Sequence, residues 1–188
     1  MDDSLELMDA PEHRAIAEAP PRRRTPTDAV AVFPSAALRP VPSFTIGIPS
    51  GWRIDEAPDA LGVLRVPEMI DGFWVNLLIT TERVDHRAKL GHVASVALEQ
   101  LKRQHPEVVV KADRVAEIDG RVMSIRVLEL TAPDSGRELT IVQGLTAAPR
   151  AEGATTRDLF QLTGTCARAD ANRFGPVFVD TISSFRLT

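Results

Sequence analysis

The stretch VVVKADRVAEIDGRVMSIRVLEL, residues 108–130, holds two apolar-rich runs on either side of Asp119-Gly120. Glycine and aspartate tolerate the positive backbone angles of a tight hairpin turn, so the pattern predicts strands over 108–118 and 122–130 joined by that turn. Pro133-Asp134-Ser135-Gly136 is a second turn of good chemistry. It leads to two more predicted strands, over 137–146 and 157–166. Working back toward the N-terminus, Phe73, Val75, Leu77 and Ile79 share one face of a strand that follows Asp71-Gly72. Its other face, with Trp74, Asn76, Leu78 and Thr80, is not fully polar. A sheet covered on one side only alternates more cleanly, so both sides are expected to be covered. Shorter strand patterns occur at 61–66 and at 43–48, where Phe44, Ile46 and Ile48 alternate with smaller residues.

Two segments carry helical periodicity instead. Over 86–104, Leu90, Ala94, Ala97 and Leu101 recur at spacings of four, three and four, widened by Val93 and Leu98. His105-Pro106 closes this helix, because a residue before proline avoids helical angles. Near the C-terminus, Phe174, Val177, Phe178, Thr181, Ile182 and Phe185 form one continuous face. Gly175-Pro176 leaves its start open between Asp170 and Pro176. The result is an α+β domain: an antiparallel sheet of about six to seven strands flanked by two helices.

Composition bounds the rest. The chain has 188 residues, 44% of them apolar, a net charge of -4 and one cysteine. That length suits one domain with an appendage. Seven of the 14 prolines fall in the first 42 residues, while eight of the nine aromatics lie at Phe44 or later. Residues 1–41 are therefore expected to be a disordered Pro/Arg-rich arm, with Arg22, Arg23 and Arg24 ahead of two candidate phosphorylation sites, Thr25 and Thr27. The domain is expected over 42–188. No apolar run approaches the roughly 20 residues of a membrane span, and the mild acidity argues against a nucleic-acid binder. No secretory leader pattern is visible, which points to a cytoplasmic location.

Signals for chemistry are sparse. The sequence holds no phosphate-binding glycine loop and no Gly-x-Ser-x-Gly elbow. His86 and His92 lie about 240° apart on a helix, so they do not share a metal from it. Cys166 falls in line with Phe160, Leu162 and Gly164 on a strand, as a small buried hydrophobe would. The acids Asp55, Glu56, Asp59, Glu68 and Asp71 read as a solvated rim. No catalytic residue, cofactor or metal is expected. The features that fit binding are Trp52, Trp74 and the loop Glu68-Met69-Ile70, which sets apolar residues where loops are ordinarily polar.

From Phe44 onward the chain resembles the actinobacterial LpqN/LpqT lipoprotein domain, a relative of the PsbP-like fold. The resemblance rests on FTIGIPSGW (44–52), DGFWVNLLI (71–79), IDGR (118–121), FQLTGT (160–165) and ISSFRLT (182–188). It implies a small α/β/α sandwich used for binding another protein, with no catalytic centre to carry over. Family members usually bear a signal peptide and a lipid-attachment cysteine, and residues 1–42 contain no cysteine and no apolar core. Cytoplasmic proteins of the related DcrB-like fold, some of them secretion chaperones, are the alternative resemblance. An enzyme of unrecognised class is the second alternative.

The C-terminal helix allows a direct test. Burying its five large apolar residues at roughly 1.5–3 kcal/mol each contributes on the order of 10 kcal/mol before entropy, comparable with a domain's whole net stability. Deleting residues 174–188 is expected to unfold the domain; a truncated chain that still melts cooperatively at a similar temperature contradicts the assignment.

Overall fold

The structure is a computed structural model that describes residues 34–35 and 39–188. Of the N-terminal arm expected over 1–41 only residues 34–35 and 39–41 are described, and Thr25 and Thr27 lie outside the described residues. Besides one turn of 3-10 helix at Arg168–Asp170, the unit formed by Pro40–Thr188 contains nine strands and two α-helices. In chain order these are β1 (Phe44–Thr45), β2 (Arg53–Asp55), β3 (Gly62–Arg65), β4 (Asn76–Asp85), α1 (Leu90–Gln104), β5 (Val109–Ile118), β6 (Arg121–Thr131), β7 (Glu138–Ala147), β8 (Thr156–Ala167), α2 (Ala171–Ser183) and β9 (Arg186–Leu187). Seven strands form one sheet in the order β2-β3-β4-β8-β7-β6-β5, with every neighbouring pair antiparallel. The short β1 and β9 pair separately.

The hairpins follow from turn chemistry. Asp119 and Gly120 sit at φ of 50° and 73°, and Ile118 pairs with Arg121 across them. Two consecutive positive φ angles make the turn whose twist matches the flanking strands. Strands β5 to β8 form a meander, and β8 closes it by pairing with β4 over ten residue pairs. Helix α1 therefore carries the chain from β4 to the far edge of the sheet. It begins at Leu90 rather than at His86, because β4 runs on to Asp85 opposite Thr156 and the His86 amide donates to the Thr155 carbonyl at 3.1 Å. That partner lies about 70 residues away and overrides the local helical pattern.

Alternation along the strands sorts the sheet into two faces. On one, Leu77 and Ile79 of β4, Phe160, Leu162 and Cys166 of β8, Val142 of β7 and Met123 and Ile125 of β6 join one buried core. Helix α2 covers this face with Phe174, Phe178 and Ile182, and Phe185 continues the stripe just past the helix end. The helix runs from Ala171 straight through Pro176. Two glycines let it approach. A methyl group at Gly164 would overlap the Phe178 ring, and one at Gly144 would overlap Ile182.

Helix α1 lies on the opposite face, against Leu145 and Leu159, which alternate with Gly144 and Phe160. A buried cation ties it down. Arg126, only 2% exposed, donates through Nη1 to the Ala94 carbonyl of α1 at 2.9 Å, and its Nη2 lies 3.5 Å from Asp113 of β5. The contacts of α1 concentrate on β6 and β7, so Val63 and Leu78, which share this face, stay partly exposed. The expected covering of both faces by helices is thus complete only on the α2 side.

Gly164→Ala is expected to destabilise the domain by about 1–3 kcal/mol, the usual cost of overpacking a filled core. Gly62→Ala, whose added methyl meets nothing within 4 Å, is expected to stay within about 0.5 kcal/mol. Urea denaturation of both variants checks this; equal midpoints would show that α2 is free to shift on the sheet.

Candidate functional site

The connection between β3 and β4 holds four of the five residues singled out for binding. Its base is pinned by the Val66 amide donating to the Val75 carbonyl at 3.1 Å. Further out, Ile70 and Phe73 exchange two backbone hydrogen bonds, 3.0 and 2.9 Å long, around Asp71 and Gly72 at φ of 47° and 71°. This tight turn needs left-handed angles, which explains Asp71 without assigning it any chemistry. Glu68 and Met69 are exposed ahead of it, Met69 by 55%, and Ile70 is half-buried.

Two arginines stack on the aromatic residues behind the tip. The Arg65 guanidinium lies 4.1 Å from the centre of the Trp74 ring and pairs with Asp55, and the Arg137 guanidinium lies 5.5 Å from that of Phe73. Such stacking favours one geometry for each ring. Trp52 is placed differently. Its ring packs edge-on against Phe174 and Phe178 of α2, with centroids 6.3 and 6.0 Å apart, so it sits partly buried against the core, away from the tip. Arg137 precedes β7 and is distant in sequence, so nothing in the sequence pattern connects it with Phe73.

The residues considered for chemistry are dispersed. Cys166 is fully buried, 3.9 Å from the Thr140 carbonyl. Burial pushes its thiol up to about 11, with the Asp170 carboxylate adding to the effect. His86 precedes α1 with Nδ1 2.9 Å from the Thr155 carbonyl, His92 lies exposed on the helix, and His105 caps the helix end. His13 lies outside the described residues. Asp55 is taken by Arg65, and Asp59 occupies another left-handed turn position, at φ of 58°. Among the described residues no group of three metal-ligating side chains converges.

The sequence matches no protein-family model and no curated protein. Solved structures do match. LpqN of Mycobacterium tuberculosis, described as involved in cell envelope biogenesis, superposes with a TM-score of 0.64 at 13% identity, over 78% of this chain and 84% of that one. The cyanobacterial PsbP of Synechocystis gives 0.53 at 15% identity, over 79% and 95%. The Saccharomyces cerevisiae Ran-binding protein Mog1p gives 0.50 at 14% identity, over 77% and 89%. At such identities the likeness concerns the fold: the domain is α+β, built like LpqN and PsbP around one antiparallel sheet.

Proposed function

We propose that this domain is a non-enzymatic binding module that docks another protein through Glu68, Met69, Ile70 and Trp74. The observation that carries this reading is the braced tip, which holds Met69 in solvent beside Glu68. Methionine is a flexible, polarisable anchor that adapts to a partner's apolar pocket. Glu68 and Asp71 at the rim favour a partner whose pocket is edged by basic residues, since charge complementarity sets orientation and encounter rate. Mog1p, with the same fold, is by name a Ran-binding protein, which supports protein recognition as a use of this architecture. Among the described residues no helix is long and apolar enough to cross a membrane.

Met69→Ser combined with Ile70→Ser is expected to weaken partner binding by about tenfold or more, the loss typical of a central apolar anchor. Affinity capture with the full-length chain, scored against the Met69→Ser single variant and a melting curve, checks it. Capture unchanged in a folded double variant eliminates the tip as the contact.

The non-enzymatic reading also makes a prediction for Cys166. The unfolded thiol ionises near its ordinary value of 9.0 and the folded one near 11, so the native state keeps its proton through that window. Its contribution to stability is complete below pH 9 and lost as pH rises through 11, by up to about 2–3 kcal/mol. Cys166→Ala is expected to lack this component in urea melts across that range. At pH 8 the native thiol should resist a disulfide reagent that reacts fully after denaturation. Rapid native labelling would identify an accessible nucleophile and overturn the reading.

A further inference from the structure

A cleft of about 440 Å³ opens at the end of the sheet where the β5–β6 turn, the end of β7, the start of α1 and β9 meet. Its charged lining is Arg121, Arg157, Arg186 and Asp119. Three positive charges against one negative leave an excess of two, in a chain whose net charge is -4. Leu90, Val122 and Leu187 add apolar surface. The volume falls within the range of small-molecule sites, and a mostly apolar lining with a few convergent polar groups is their usual make-up.

Arg121 and Arg157 are held but keep unused donors, whereas Arg186 is paired. The Arg121 guanidinium lies 5.5 Å from the centre of the buried Phe185 ring, and its Nε and Nη2 are buried with no hydrogen-bond partner. Those two atoms sit side by side and form the fork that binds an oxyanion in two parallel hydrogen bonds. Arg157 donates through Nη2 to the Ala88 carbonyl, while its Nε is likewise buried and partnerless. Arg186 pairs with Asp119 and donates to the Ser183 and Phe185 carbonyls at 2.6 and 2.8 Å. Burial and the neighbouring Arg186 charge press the Arg121 pKa down, and Asp119 offsets this only in part. Helix α1 begins at the same cleft with no acidic residue in its first turn and no side-chain cap, so its positive end is left uncompensated.

Clustering cations without matching carboxylates costs stability. From this arrangement we infer that the cleft binds a phosphate monoester carrying a small apolar body, with Arg121, Arg157 and Arg186 as its ligands. A phosphate monoester carries about -1.5 to -2 at neutral pH, which matches the local excess, whereas a carboxylate supplies half of it. Its oxygens provide the acceptors that the Arg121 fork and Arg157 Nε lack. Those donors lie beneath the cleft surface, so binding requires the Arg121 and Arg157 side chains to turn toward the cleft. This site is independent of the protein contact at the β3–β4 tip.

The test is a titration of the full-length protein with phenyl phosphate, followed by backbone amide chemical shifts. Saturable shifts confined to residues 90–91, 119–123, 147–148, 157 and 186–187 are expected, with benzoate weaker by about tenfold or more. Arg121→Gln is expected to weaken phenyl phosphate binding to a similar degree, while Arg103→Gln, on the exposed end of α1, leaves it intact. If Arg121→Gln does not fold, the shift map of the unaltered protein decides. Absence of saturation, scattered shifts, equal binding of benzoate or an unaffected Arg121→Gln variant each overturn the inference. A second arm separates the sources of the phosphate group. Capture on vesicles containing phosphatidic acid, competed by phenyl phosphate, assigns a lipid headgroup; no capture assigns a soluble ester.

Discussion

The contact between α2 and the sheet organises this domain. Phe178 and Ile182 occupy space that side chains at positions 164 and 144 would otherwise fill, so two missing side chains fix where the helix can rest. Once α2 is seated, Phe185 follows it into the core beside Phe44 and Phe160, with ring centroids 5.1 and 5.2 Å away. The chain then leaves as β9, which pairs with β1 and carries Arg186 to the cleft. The Trp52 ring packs against the same helix. A small shift of α2 would therefore disturb the first and last strands together.

The opposite face is organised by charge. Arg126 is buried beneath α1 and joined to it through a backbone carbonyl. A buried arginine is costly unless nearly every donor is used, yet its Nε remains unpaired. Arg65 and Arg137 stack on aromatic rings beside the β3–β4 tip, and Arg121 stacks on Phe185 beside the cleft. Arginine suits all these positions because its planar, weakly hydrated group combines ring stacking with directed hydrogen bonds, which lysine does not. The two proposed recognition sites therefore share one structural device on separate parts of the domain.

Much of the fold was legible in local pattern. Strands expected over 108–118, 122–130, 137–146 and 157–166 are found as Val109–Ile118, Arg121–Thr131, Glu138–Ala147 and Thr156–Ala167. Their turns depend on Asp, Gly and Pro, whose backbone preferences are local. The shared face of Val75, Leu77 and Ile79 is buried as its period-two pattern implies. Strands β2 and β9 left no such mark, because three-residue and two-residue strands are too short to show a period. The exposed loop at Glu68-Met69-Ile70 was visible as apolar residues among turn formers. Trp52 lies near that loop in sequence, and only the structure shows its ring packed against residues more than 120 positions away.

The sequence by itself determined the alternation of strands and helices, the hairpin turns and the greasy stripe of α2. Each depends on residues within a few positions of one another. Only the tertiary structure decided the strand order, the helix chosen by Gly164, and the meeting of Arg121, Arg157 and Arg186 at one cleft. Those residues come from three separate strands, and charge proximity depends on distance in space, for which spacing along the chain is no guide.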